Sequence, residues 1–290
     1  MQTRPYRSAL YIPGSRPRAL DKARSLAVDA ILFDLEDAVT PPEKTAARAT
    51  LAEELGKGGY GARARIVRIN ALDTEWGEAD AAAMAAADCD ALLLPKVQGP
   101  ADIDRLAALA PGKPLWAMME TPASIFNAAA IAAHPALEGF VLGTNDLAKD
   151  LGARVGPGRP ELQMALQTCL MAARAAGIVA IDGVFNAFKD EDGLTAECQQ
   201  GRDMGFDGKS LVHPAQVAIA NGIFGPSAEE IELAERQIAA FAEAEAEGQG
   251  VAVVDGKIVE NLHVATARAI LTRAEAIRAM DAAANTSAGD

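Results

Sequence analysis

Apolar residues along the chain gather in eight short runs, each followed by a longer Ala/Leu-rich stretch with helical spacing. The runs are Ser8–Pro13, Ala30–Glu36, Ala64–Asn70, Ala91–Val97, Leu115–Thr121, Gly139–Asn145, Val179–Phe185 and Asp207–Pro214. Most are apolar through their middle rather than alternating, which suits parallel strands buried on both faces. Strands alternating with helices imply βαβ units. Eight such units predict the α/β class and a closed (β/α)8 TIM barrel. An open doubly wound sheet would call for a glycine fingerprint after the first strand, where the chain instead reads Pro13-Gly14-Ser15-Arg16-Pro17.

The pattern changes after the eighth run. Ser227-Ala228-Glu229-Glu230 is a capping box that opens a helix expected to reach about Gly248. Residues 251–259 read as a hairpin turning at Asp255-Gly256. Asn261 is then expected to cap a last helix running to about Ala284, with Asn285–Asp290 as a frayed tail. The expected organisation is a catalytic barrel over residues 1–225 and a helix–hairpin–helix extension over 226–290, a lid or an oligomer arm.

The chain has 290 residues, a length ordinary for one α/β barrel. Half of it is hydrophobic and only 4% aromatic, so the core is expected to be small and aliphatic. A net charge of −13 argues against nucleic acid or an anionic membrane as partners and leaves polyanion binding to local basic patches. The three cysteines, widely spaced and without a C-x-x-C pair, read as reduced thiols of a cytoplasmic protein. No run has the length of a membrane span or a signal peptide.

In a barrel the C-terminal strand ends converge on one face, where active sites lie. Those ends carry Arg16, Glu36 and Asp37, Arg68, Lys96, Glu120, Asp146, Asp182 and His213. Carboxylates without a His/Cys cluster select a hard cation, Mg2+ or Mn2+. Glu120 and Asp146, on neighbouring strands, are the expected metal ligands, with Glu36 and Asp37 holding metal-bound waters. Ordinary helix caps and loop acids are the plainer reading, most credible for Asp37 and Asp182. Arg68 ends an apolar strand and needs an anionic partner, either a substrate oxygen or Glu36 or Asp37. Arg16, Arg18, Lys22 and Arg24 form a basic cluster that either seats the phosphates of a CoA nucleotide or is a solvated helix face. Lys96 as a Schiff-base lysine ranks below the metal reading, because it leaves the carboxylates without a role.

Leu10-Tyr11-Ile12-Pro13-Gly14-Ser15-Arg16, Phe33-Asp34-Leu35-Glu36-Asp37-Ala38-Val39, Leu94-Pro95-Lys96, Met119-Glu120-Thr121-Pro122, Gly143-Thr144-Asn145-Asp146-Leu147 and Gly205-Phe206-Asp207-Gly208-Lys209, with His213-Pro214, stand out together. This set resembles the citrate lyase β-subunit-like branch of the HpcH/HpaI aldolase family. The resemblance runs from about Ser8 to Arg278. It implies a barrel, commonly a homotrimer, whose C-terminal segment covers a neighbour's site, with Mg2+ on Glu120 and Asp146 and Arg68 at the reacting oxygen. Members include malyl-CoA and citramalyl-CoA lyases, citrate lyase β subunits and malyl-CoA thioesterases. Where many members carry a lid aspartate in a Gly-x-Met-Val/Ile-Asp motif, this chain has Gly256-Lys257-Ile258-Val259-Glu260.

The resemblance implies Mg2+-dependent carbon–carbon cleavage of a small 3-hydroxyacyl-CoA, with Arg68 stabilising the oxygen that becomes a carbonyl and Glu260 exchanging a proton at the enolate carbon. The alternatives are a malyl-CoA-type thioesterase on the same scaffold and a subunit serving an acyl carrier within a citrate lyase complex.

Overall fold

A computed structural model describes residues 4–286. The eight runs are eight strands: β1 (Ser8–Pro13), β2 (Ala30–Asp34), β3 (Ala64–Arg68), β4 (Ala91–Leu94), β5 (Leu115–Met119), β6 (Leu137–Leu142), β7 (Val179–Asp182) and β8 (Gly208–Leu211). Each pairs in parallel with the next, and β8 returns to β1 through Ser8↔Lys209 and Leu10↔Leu211, so the sheet closes. The fold is the (β/α)8 barrel that the pattern predicts. Most of the strands end earlier than the apolar runs suggest, β7 at Asp182 rather than Phe185 and β8 at Leu211 rather than Pro214. The register between β7 and β8 holds only two pairs, and the residues beyond it form the loops that rim the mouth.

Side chains alternate along each strand, and a barrel turns that alternation into inside and outside. Ala9, Ala30, Leu32, Ala64, Ile66, Leu93, Trp116, Met118, Val141 and Ile181 fill the interior. Leu10, Ile31, Phe33, Val67, Leu92, Ala117, Phe140 and Ala180 pack outward under the helices. Extending the inward parity by one step brings Tyr11 on β1, Asp34 on β2, Arg68 on β3 and Glu120 after β5 to the C-terminal end of the interior. The strand geometry itself thus gathers the charged groups.

The same parity takes Asp182 away from the mouth. It follows the inward Ile181 and points outward, fully buried, into a bidentate pair with Arg159 (2.8 and 3.1 Å) and onto Lys209 Nζ at 2.9 Å. Lys209 also reaches Glu197 at 2.7 Å. Burial alone would raise the Asp182 carboxyl, but the two cations outweigh it and hold it below the usual range. Asp182, expected at the mouth, is instead a brace between the barrel wall and the helix Glu191–Met204.

The chain divides into two compact units, Tyr6–Phe224 and a second made of residues 225–286 with residues 4–5. In the second, Ser227 and Glu230 form the expected reciprocal cap, and the helix runs Ala228–Ala246. Strands β9 (Ala252–Val254) and β10 (Lys257–Val259) pair antiparallel around Asp255 and Gly256. Both turn residues have positive φ (50° and 74°), which the Asp-Gly pair supplies at low cost. Phe241, Ala244, Ala252, Val259 and Val264 form this unit's own apolar cluster. The last helix spans Asn261–Thr286, so Asn285 and Thr286 belong to it, and positions 287–290 of the expected tail lie outside the described residues. Among the described residues no helix is long and apolar enough to cross a membrane.

Candidate active site

The mouth of the barrel holds a cavity of about 630 Å³, bordered by Tyr11, Asp34, Arg68, Met118, Glu120 and Asp146 among others. Glu120 sits one residue past β5 and is almost wholly buried. Its Oε1 accepts the Lys96 backbone N–H at 2.7 Å. Lys96, directly after Pro95, makes that contact with a left-handed φ of 54°, a conformation that costs a non-glycine residue and marks a constrained site. Gly143, after β6, leaves room for Glu120: a Cβ there would collide with the Glu120 side chain. The chain then turns into the helix Thr144–Leu151, whose first turn presents Asp146.

Both carboxylates converge on one cation of the chain itself. Lys96 Nζ ion-pairs with Asp146 and lies 3.5 Å from Glu120 Oε1. Burial pushes the Glu120 carboxyl up, and Lys96 only partly offsets it. Burial also works against the charge on Asp146, but the Lys96 hydrogen bond and charge hold that carboxyl below its ordinary value. On Lys96, burial is outweighed by Asp146 and Glu120, so its amine is held protonated. A protonated, ion-paired amine is a poor Schiff-base nucleophile.

This donor set fits Mg2+ on chemistry alone. Two oxygen donors face the same point, and an ammonium already stands between them as a cation. Among the described residues no third His, Cys, Asp or Glu completes a cluster, which would leave positions open for water and substrate, as Mg2+ prefers.

Arg68 forms the second half of the site. Its Nε and Nη2 donate to Asp34 Oδ1 (2.8 Å) and Oδ2 (2.7 Å). Asp34 also accepts the backbone N–H groups of Glu36 (2.9 Å) and Ala38 (3.0 Å), so one carboxylate holds both the guanidinium and the loop after β2. Lys44 fixes that loop from below through the carbonyls of Leu35 and Glu36. Burial opposes the charge on Arg68, and Asp34 with Glu36 outweighs it.

Glu36 Oε2 lies 2.7 Å from Arg68 Nη1, off the line of an N–H, and finds no aligned hydrogen bond. Burial pushes its carboxyl up to about 8, against the pull of Arg68 and aided by Asp37, Glu120 and Asp34. Asp37 is an outlying partner of Arg68 at 3.4 Å, with its side chain 69% exposed. Arg68 therefore has Glu36 and Asp37 as expected, but its principal partner is Asp34. Parity with Ala30 and Leu32 was the signal that marked Asp34 for the mouth.

Arg16, Arg18 and Lys22 are exposed on or just before the seven-residue helix Pro17–Ala23. Arg24 does not belong with them: it bonds to Gly58 and Glu54 and stacks on the Tyr60 ring at 4.6 Å. His213 stacks on Phe188 and caps the short turn after β8. Glu260, in the second unit, is the residue before the last helix. Its carbonyl accepts the N–H groups of His263 (2.9 Å) and Val264 (3.2 Å), and its own N–H donates to His263 Nδ1 at 3.0 Å. The helix cap is thus Glu260, with Asn261 as the first helical residue rather than the cap.

Residues 7–214 match the family described as HpcH/HpaI aldolase/citrate lyase. The chain is 64% identical over 281 residues to a (3S)-malyl-CoA thioesterase of Cereibacter sphaeroides (strain ATCC 17029 / ATH 2.4.9), covering 97% of this chain and 99% of that one. It is 35% identical over 286 residues to the citrate lyase subunit beta of Escherichia coli (strain K12), covering 94% and 95%. Among solved structures, the protein CitE from Mycobacterium tuberculosis in complex with magnesium, acetoacetate and coenzyme A superposes with a TM-score of 0.78 at 28% identity, covering 94% of this chain and all of that one.

Proposed function

Since the chain belongs to the HpcH/HpaI aldolase/citrate lyase family, we propose that it is a Mg2+-dependent hydrolase of a small 3-hydroxyacyl-CoA, with (3S)-malyl-CoA as its first candidate substrate. The observation that carries this choice is the 64% identity, over nearly the full length of both chains, to a protein named for that reaction. In the reaction, water oxygen bonds to the thioester carbon, the carbon–sulfur bond breaks, and malate and the CoA thiol are released.

Glu120 and Asp146 would hold the Mg2+. When bound, the ion would supply Lewis-acid polarisation of acyl-group oxygens. Arg68, locked by Asp34, presents a fixed positive charge to the oxygen on which negative charge grows. It needs no reorganisation as the charge appears. Glu36 and Asp37, against Arg68, orient water at the same point. Glu260 is assigned the proton that the attacking water gives up and the leaving sulfur takes, and Arg16, Arg18 and Lys22 the phosphates of the CoA nucleotide.

Carbon–carbon cleavage, the first expectation from the sequence, becomes the second reading. The 35% identity to a citrate lyase β subunit favours it. The test is to incubate (3S)-malyl-CoA with protein and Mg2+ and score free thiol with malate against acetyl-CoA with glyoxylate. Thiol and malate without glyoxylate are expected. Acetyl-CoA and glyoxylate would replace hydrolysis by cleavage, and no turnover of this ester would remove it as the substrate.

A further inference from the structure

Tyr11 takes no part in the scheme above, yet it stands inside the same cavity. It follows Ala9 in the inward parity of β1 and packs against the apolar cluster that fills the barrel interior. It therefore forms part of the floor on which the mouth rests. Its ring lies 4.8 Å from the Arg68 guanidinium carbon, a cation–π contact that sets the phenol beside the cation. The hydroxyl donates to the Met118 sulfur at 3.4 Å. A thioether is a weak acceptor, so a strong donor here is left with a poor partner and faces a cavity. Burial and the carboxylates of Asp34, Glu120 and Glu36 keep the phenol protonated despite the pull of Arg68. The group can therefore donate throughout the working pH range.

We propose that Tyr11 is a specificity-determining substrate contact, donating a hydrogen bond to the hydroxyl or 2-oxo oxygen that the acyl chain carries beside its carboxylate, next to Arg68. The substrate class rests on the hydrolase reading, but the contact does not depend on which bond is broken. A site built to bond a substrate oxygen disfavours the analogue lacking it, because its own donor is then left with only the weak thioether acceptor of Met118. Tyr11 would thus separate malyl-CoA from succinyl-CoA, which has the same carbon skeleton without the hydroxyl.

Tyr11→Phe removes the donor and keeps the ring over Arg68. With Mg2+ present, calorimetric titration with pyruvate should give a Kd about 3- to 10-fold weaker in the variant than in the unaltered protein. Mn2+ affinity and Tm should not change. The kcat/KM preference for malyl-CoA over succinyl-CoA should shrink by a similar factor. Equal pyruvate affinity in the two proteins, or no pyruvate binding by either, overturns the contact. A parallel loss of Mn2+ affinity also overturns it, by making Tyr11 a support of the carboxylate pair. If the unaltered protein hydrolyses no malyl-CoA, the hydrolase reading falls, while the pyruvate titration still decides on Tyr11.

Discussion

Asp34 grips Arg68 with both carboxylate oxygens, at 2.7 and 2.8 Å, and both side chains are buried at the mouth of the barrel. Breaking such a pair from one side strands a charge out of water, at a cost of about 3–5 kcal/mol. Asp34→Ala should therefore show a loss of that order by urea denaturation. Asp37→Asn, at the exposed end of the same guanidinium, should cost less than about 1 kcal/mol. Arg68→Lys loses the planar fork and should cut turnover at least about 100-fold while keeping the fold. Equal destabilisation by the Asp34 and Asp37 variants would contradict this hierarchy.

Excess EDTA should stop turnover, and Glu120→Ala and Asp146→Ala should each abolish Mn2+ binding measured by electron paramagnetic resonance. Lys96 makes a further outcome testable, because its ammonium occupies the point on which both carboxylates converge. A metal ion must displace it. Lys96→Met should therefore bind Mn2+ several-fold more tightly than the unaltered protein. Full activity in EDTA would refute the metal site, and weaker Mn2+ binding by Lys96→Met would refute the competition.

Glu36 predicts a slope of stability with pH in metal-free protein. Its carboxyl releases a proton near 4.5 in an open chain and near 8 in the fold. Between those values the folded state holds more protons than the unfolded one, so this group's contribution to stability falls as pH rises and levels off above 8. Glu36→Gln cannot ionise and lacks that slope. The Tm of the variant should gain on that of the unaltered protein from pH 5 to 8.5. Parallel Tm profiles would mean that Glu36 ionises normally in the folded chain.

Glu260 caps a helix whether or not it moves a proton, and the two roles differ in magnitude. Its carbonyl and N–H make the cap, and these survive in Glu260→Gln. Losing a charge at a helix N-terminus costs about 0.3–1 kcal/mol, whereas losing a general acid or base costs about 100- to 10,000-fold in rate. Glu260→Gln should thus keep its Tm and lose at least about 100-fold in kcat. Mixing it with Glu120→Ala protein under subunit exchange should restore activity if the segment serves a neighbouring subunit of a homotrimer. Near-normal turnover by Glu260→Gln would leave only the cap.

Arg16→Ala with Arg18→Ala should raise KM for the full CoA ester more than for a thioester truncated before the nucleotide, because phosphate contacts are remote from the reacting bond. Equal effects on both substrates would rule out a nucleotide-phosphate role for the two arginines.

The order of elements, the barrel and the helix–hairpin–helix were all legible in the sequence. Doubly buried strands must be apolar, helices must bury one stripe, and turns such as Asp255-Gly256 need particular backbone conformations. All three are local requirements written in residue order. Glu36, Asp37, Glu120 and Asp146 were legible too, as polar residues ending apolar runs, whereas Asp34, the principal partner of Arg68, was not singled out. What the sequence left open was which way each strand end faces and what meets it there. Asp182 and Glu120 both end apolar runs, but one step of parity sends Asp182 outward to Arg159 and Lys209 and Glu120 inward to Lys96. Lys96 lies 24 residues from Glu120 and 50 from Asp146, and Asp34 lies 34 from Arg68. Ion pairs of that separation exist only once a closed barrel fixes the register of every strand. Tertiary structure alone decided the partners of these charges, because Coulomb energy depends on distance in space and not on distance along the chain.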